Sequence, residues 1–345
     1  MPIVTIQKLT ATDGFISFDL DDAPAVGVTR SAPKILADGA TLLARSLTYR
    51  FASFDYQIGG ASAGVNAAPD ARAAALAAYC AEIEPLVAAG RFLTEAGKGV
   101  TADDLASLRG DDPRPPEYWS RHDELTGLGV AVAADGGSGA LAGRRVAIEG
   151  FDAWGLALAA AVVERGGTVV AVGTGTGTAS DAGGFAPDAL AEAWSAGGAG
   201  LVGTLVAEPT PAGAVLGADA DVLVVGSKPG VVDHQAAARV QASLLVPAGP
   251  VPVTAKALAV LRRAGTTVLP DFVTTAGPLF AGWPAGGPAG STGPVDPADA
   301  AAAAIAGVLA EVAGHADGPL LGACHRAEAF LASWRPSLPF GRPLA

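Results

Sequence analysis

The segment Gly150-Phe151-Asp152-Ala153-Trp154-Gly155 lies between two apolar runs, Arg145 to Glu149 and Leu156 to Arg165. Glycines in such a turn let backbone N–H groups at a helix start approach a pyrophosphate, so the chemistry on offer is dinucleotide binding. The middle position of the usual GxGxxG pattern is here Asp152. Two unit charges about 4 Å apart repel by ~4 kcal/mol at an effective dielectric of about 20. That is worth roughly three decades of affinity. The acidic residue that would grip a ribose at the end of the following strand is also absent, since Val172 leads into Gly173 and Thr174. Threonine tolerates a 2′-phosphate without selecting one. The expectation is that no cofactor binds tightly, with NAD(P) reserved for an alternative reading; Gly150, Asp152, Gly155 and Thr174 are the residues to inspect.

Arg50 precedes Phe54, Tyr56 and the pair Gly59-Gly60. A guanidinium beside aromatic surface suits a small molecule with a carboxylate and a planar or apolar body. The competing reading is an ion pair at a surface or domain interface. His122 and Asp123 offer an acid-base pair, or an acidic first turn that complements a helix dipole. His234, His315 and His325 have no partners at metal spacing. The cysteines Cys80 and Cys324 read as buried thiols.

The elements that must position these residues suggest two α/β domains. A chain of 345 residues, half of them hydrophobic, can bury two cores. Strand-like alternation over residues 15–20, helices over 37–50 and 70–89, and a short strand over 55–60 make an N-terminal mixed-sheet domain. A helix over 127–134 links it to a second domain. There the strands 145–149 and 168–172 flank a helix, and further parallel strands are expected at 200–206, 221–225, 243–246 and 267–269. This is a Rossmann-like doubly wound pattern. Residues 281–295 read as a linker or lid, and Asp296-Pro297 opens a helix through Val312. The boundaries predicted are 1–125 for the N-terminal domain, completed by C-terminal helices within 300–345, and 126–299 for the second. A net charge of −12 argues against nucleic acid and anionic lipid as partners. No secretory signal or membrane span is read, so the expected compartment is the cytoplasm.

Several ordered segments resemble the glutamate/leucine/phenylalanine/valine dehydrogenase family: APAVGVTR, LTYRFASFDYQIGGASAGVN, GRFLTEAGKGVTADDL, ELTGLGV, RVAIEGFDAWG and VPAGPVPVTAKA with VLPDFVTTAG. The resemblance implies a lysine where Arg50 stands, a second twelve residues on where Ser62 stands, and a proton-shuttling aspartate where Gly97 stands. It also implies nicotinamide-facing asparagines where Pro250 and Thr275 occur, and it places Lys98 and Lys228 in cleft-facing turns. Thr126, Gly150, Gly155 and Asp271 keep the family's residues. Oxidative deamination needs a base that exchanges protons near neutrality, which arginine is not and which serine is not without a partner. The preferred expectation is a repurposed enzyme for an amino-, imino- or keto-acid-like molecule. An NAD(P)-dependent imine reductase and a non-catalytic ligand-binding or partner subunit are the alternatives. The resemblance further implies a homo-oligomer.

Overall fold

The computed structural model describes residues 5–283, 295–338 and 341–345. The chain divides into two compact units, residues 1–114 with 324–343, and residues 115–323 with 344–345.

Unit 1 is built on a five-stranded mixed sheet. Its strands are β1 (Thr5–Lys8), β2 (Gly14–Phe18), β3 (Ala25–Ala32), β4 (Gly59–Asn66) and β5 (Phe92–Ala96), in the order β1-β2-β4-β3-β5. β3 runs parallel to β4 and β5, while β1 and β2 are antiparallel to their neighbours. Helix α1 (Ala37–Ser53) crosses between β3 and β4, and α2 (Arg72–Ala88) between β4 and β5. Both helices fall close to the ranges expected from the sequence, and for α2 the apolar spacing is the signal. α1 lies so close to the sheet that a Cβ on Gly60 would sit 1.8 Å from the Ala44 carbonyl oxygen. Only glycine fits there, and its N–H is bonded to Thr48 Oγ1 at 2.9 Å. On the opposite face Thr29 Oγ1 bonds Tyr79 OH at 2.6 Å and Thr94 Oγ1 at 2.7 Å, tying α2 to the sheet.

Unit 2 carries a six-stranded sheet ordered β11-β10-β9-β6-β7-β8. The strands are β6 (Arg145–Glu149), β7 (Thr168–Thr174), β8 (Gly177–Ser180), β9 (Val222–Val225), β10 (Leu244–Pro247) and β11 (Thr267–Val268). All neighbours are parallel except β8, which pairs antiparallel with β7. Its principal helices are α3 (His122–Ser138), α4 (Ala153–Glu164), α5 (Pro187–Gly197), α6 (Ala255–Ala264) and α7 (Pro297–Val312); α8 (Pro319–Trp334) is the last helix of the chain. The strand order reverses between β6 and β9, which makes a doubly wound sheet with its topological switch point at their carboxyl ends.

Four expectations need correction. The short strand expected over 55–60 is displaced, because residues 55–58 precede β4, which begins at Gly59. Residues 200–206 form helical turns rather than a strand. α3 begins at His122, so it is longer than the sequence reading. α7 packs on α3 within unit 2 instead of completing the N-terminal domain, which takes only residues 324–343 of the C-terminal region. There Tyr49 OH donates to Glu328 at 3.0 Å, and Arg342 holds the same carboxylate at 2.7 and 2.8 Å. Most of the predicted linker or lid, residues 284–294, lies outside the described residues. No described helix is long and apolar enough to cross a membrane.

Candidate functional site

In unit 1 the chemistry-bearing side chains gather on the sheet face that α1 partly covers. Ser62, Val28 and Glu95 are register neighbours on β4, β3 and β5, and Arg30 follows Val28 two residues on, so the four share this face. Ser62 is fully buried, and its Oγ meets no partner among the described residues. Its register neighbour on the other side, Ser17, meets Thr41 of α1 at 3.1 Å. Arg50 lies nine residues beyond Thr41 in the last turn of α1, about 13 Å along the helix axis at 1.5 Å per residue. Gly60, two residues before Ser62, donates its N–H to Thr48 Oγ1, two residues before Arg50 on the same helix. Phe51 packs against Tyr56 with 6.4 Å between ring centroids, and burial pushes the Tyr56 phenol up to about 12.

Gly97 follows β5, and its N–H bonds the Thr29 carbonyl at 2.8 Å. A Cβ at Gly97 would come within 3.0 Å of Arg30 Cγ, so the glycine makes room for the arginine stem. Lys98 is exposed, and only its backbone contributes here, through its carbonyl to Ser31 N at 2.9 Å. Glu95 is held at 3.4 Å by Arg114, whose side chain is buried against Asp112 at 2.7 Å. Sequence reasoning passed over Arg30, Glu95 and Arg114. The alternation Val28-Arg30 opposite Glu95 was the available signal, but it becomes visible only once β3 and β5 are paired.

In unit 2 the turn after β6 abuts the turn after β9. Gly150 has φ +74°, and a Cβ there would lie 2.3 Å from Ser227 N. Glu149 fastens the two turns by accepting from Gly226 N and Ser227 N, each at 3.1 Å. Gly155 leaves room for the Phe151 ring, which would stand 2.8 Å from its Cβ. Asp152 is the N-cap of α4, and its Oδ1 accepts from Ala153 N at 2.8 Å. The carboxylate is exposed and is drawn onto its own helix start. Thr174 donates to the Ala199 carbonyl at 2.6 Å and so braces the end of β7. The backbone of this turn therefore fits the phosphates of a dinucleotide at a helix N-terminus, with Asp152 the one discordant group.

Around the neighbouring strand ends, Val251 adopts φ +49°, and its N–H bonds the buried Asp271 carboxylate at 2.8 Å. Thr275 Oγ1 donates to the Asp271 carbonyl at 2.6 Å, and Thr274 Oγ1 to the Pro247 carbonyl at 2.6 Å. His122 and Asp123 occupy the first turn of α3 with 3.7 Å between Nδ1 and Oδ1, beyond hydrogen-bond reach. His122 packs edge-on against Tyr118 at 5.6 Å, and Thr126 Oγ1 donates to the His122 carbonyl at 2.9 Å. The first-turn carboxylate with a firm partner is Glu124, 2.7 Å from Arg121. Both cysteines are buried.

These features define a two-unit α/β protein whose second unit has the Rossmann-type switch point. Residues 120–281 match the family model described as Glutamate/Leucine/Phenylalanine/Valine dehydrogenase. Glutamate dehydrogenase A2 of Halobacterium salinarum is 28% identical over 293 residues, covering 75% of this chain and 68% of that protein. The NADP-specific glutamate dehydrogenase of Saccharolobus shibatae is 32% identical over 157 residues, 44% of this chain and 37% of that protein. The hetero-hexameric glutamate dehydrogenase of Thermus thermophilus in its Leu bound form superposes with a TM-score of 0.73 at 21% identity, covering 97% of this chain and 90% of that chain. The chain is thus a relative of the glutamate/leucine/phenylalanine/valine dehydrogenase family, whose model its residues 120–281 match. This relationship overturns the expectation that no cofactor binds tightly. The reasoning from Asp152 treated its carboxylate as aimed at the phosphate, whereas the exposed side chain caps α4.

Proposed function

We propose that the protein is a nicotinamide-dinucleotide oxidoreductase that reduces the C=N bond of a small imino acid, with an amino- or oxo-acid as the related species. The observation that carries this reading is Ser62, wholly buried and with its Oγ bonded to no base among the described residues. Oxidative deamination requires a water activated near the substrate carbon, and neither a buried serine nor a permanently protonated arginine supplies the base. Reduction of a preformed imine needs no such water. When bound, the dinucleotide supplies a hydride to the imine carbon while the nitrogen takes a proton, so the amine forms and the dinucleotide leaves oxidised. Gly150 and the α4 N-terminus would hold its phosphates, Thr174 would border the adenosine ribose without excluding a 2′-phosphate, and Arg50 would contribute positive potential for the carboxylate. A homo-oligomer is part of this reading, with the hetero-hexameric Thermus thermophilus protein as the oligomeric precedent.

The test offers NADH and NADPH with 1-pyrroline-2-carboxylate, and separately with 2-oxo acids plus ammonia. The cyclic imine should be reduced at least about a hundredfold faster, since general acid-base catalysis contributes about 10²–10⁴. Turnover of leucine, valine, phenylalanine or glutamate with NAD or NADP at rates matching the imine would refute the proposal.

A further inference from the structure

Arg30 is the odd cation of unit 1. It sits near the carboxyl end of β3, half-buried, with Nε and Nη2 buried and without an acceptor among the described residues. A buried guanidinium edge without hydrogen bonds loses hydration and receives nothing in return, an arrangement folded proteins rarely leave standing. Burial accordingly holds its pKa below the ordinary arginine value. The surroundings explain why no internal partner reaches it. Gly97 presses against its stem without a side chain of its own, and its register partner on β4 is Gly64. The nearby carboxylate on the same face, Glu95, is engaged by Arg114. Ser62 adds a second unsatisfied polar group on this face.

We infer that Arg30 is a carboxylate anchor of unit 1, its unpaired guanidinium edge receiving the carboxylate of the small acid on which the protein acts. The inference rests on the proposed function for its ligand class and on the orphaned guanidinium for its residue. The planar fork matches a carboxylate through two parallel N–H donors, which a halide cannot engage together. Arg30 is thereby a binding residue, and no bond is made or broken at it.

The experiment uses the full chain and its Arg30→Met and Arg30→Lys variants, with pyruvate as probe, chloride at equal ionic strength as control, and NADPH binding measured in parallel. Pyruvate should raise the melting temperature of the wild type, and chloride should not. Arg30→Met should melt no lower than wild type without ligand, because an uncompensated buried charge is removed. It should bind pyruvate about tenfold more weakly or worse, the scale of a lost charge-assisted contact. Its NADPH affinity should be unchanged, and Arg30→Lys should fall between the two. Pyruvate affinity within about twofold of wild type in either variant, far inside the tenfold scale of a lost contact, overturns the inference. So does equal protection by chloride, or a wild type that binds NADPH and reduces the imine without responding to pyruvate. Should Arg30→Met fail to fold, Arg30→Lys alone decides, on its pyruvate affinity. Loss of NADPH binding and imine turnover in the wild type would instead strike the proposed function.

Discussion

In unit 2 the polar residues that depart from a dinucleotide-binding pattern are engaged internally. Asp152 caps its helix, Thr174 binds the Ala199 carbonyl, and Thr275 binds the Asp271 carbonyl. In unit 1, by contrast, buried groups of Arg30, Ser31, Ser53, Ser62 and Trp334 meet no partner among the described residues. The difference separates two kinds of sequence change. Substitutions in the parallel-sheet unit have been absorbed into the frame, whereas the mixed-sheet unit keeps polar capacity that a bound molecule can use.

The largest expected effect tests whether unit 1 is nevertheless a rigid frame. Gly60→Val drives a side chain into the α1 backbone and should destabilise by about 3 kcal/mol or more. A denaturant midpoint close to wild type would show that α1 can lift off the sheet. In unit 2, Asp271→Ala leaves the Val251 N–H unsatisfied and should cost about 1–3 kcal/mol by the same measurement. An unchanged midpoint would remove Asp271 from the internally completed network.

Asp152→Gly sharpens the contrast from the side of the cofactor. NADPH affinity by calorimetry should rise about fivefold, since an exposed charge about 4 Å from a phosphate is worth ~1 kcal/mol in water. Stability should fall by only a few tenths of a kcal/mol, because glycine is itself an acceptable N-cap. Equal affinity in both proteins would make the Asp152 carboxylate a helix cap and nothing more. The smallest effect belongs to Ser62→Ala. Removing an orphaned hydroxyl should leave stability within about 0.5 kcal/mol of wild type or raise it, and imine reduction should be unchanged. A marked loss of turnover with intact folding would return Ser62 to the chemistry.

The elements legible in the sequence were those with a repeating face or a diagnostic turn. α2 declares itself through apolar spacing, and β6, α4 and β7 through the glycine turn between apolar runs. Residues 200–206 failed because a short apolar run reads alike as strand or helical turn. β8, the segment Gly177–Ser180, carries no apolar alternation to be found. β3 is buried along much of both faces, so it was visible only as a motif. At the candidate site, Gly150 and Asp152 were readable because a turn is local. The isolation of Arg30 depends on Gly97 and Gly64, which tertiary pairing alone brings beside it.

Val251 bears on how often the turn opens. Its φ of +49° is costly for a β-branched residue, on the order of 1–3 kcal/mol. The chain around it belongs to a turn between β10 and α6, a class of segment that usually opens often. Yet its amide proton is committed to a buried carboxylate, and releasing it would strand Asp271 without that donor. In hydrogen-exchange terms, this loop amide should therefore keep the slow clock of the surrounding strands, and the turn should open only when the sheet beneath it does.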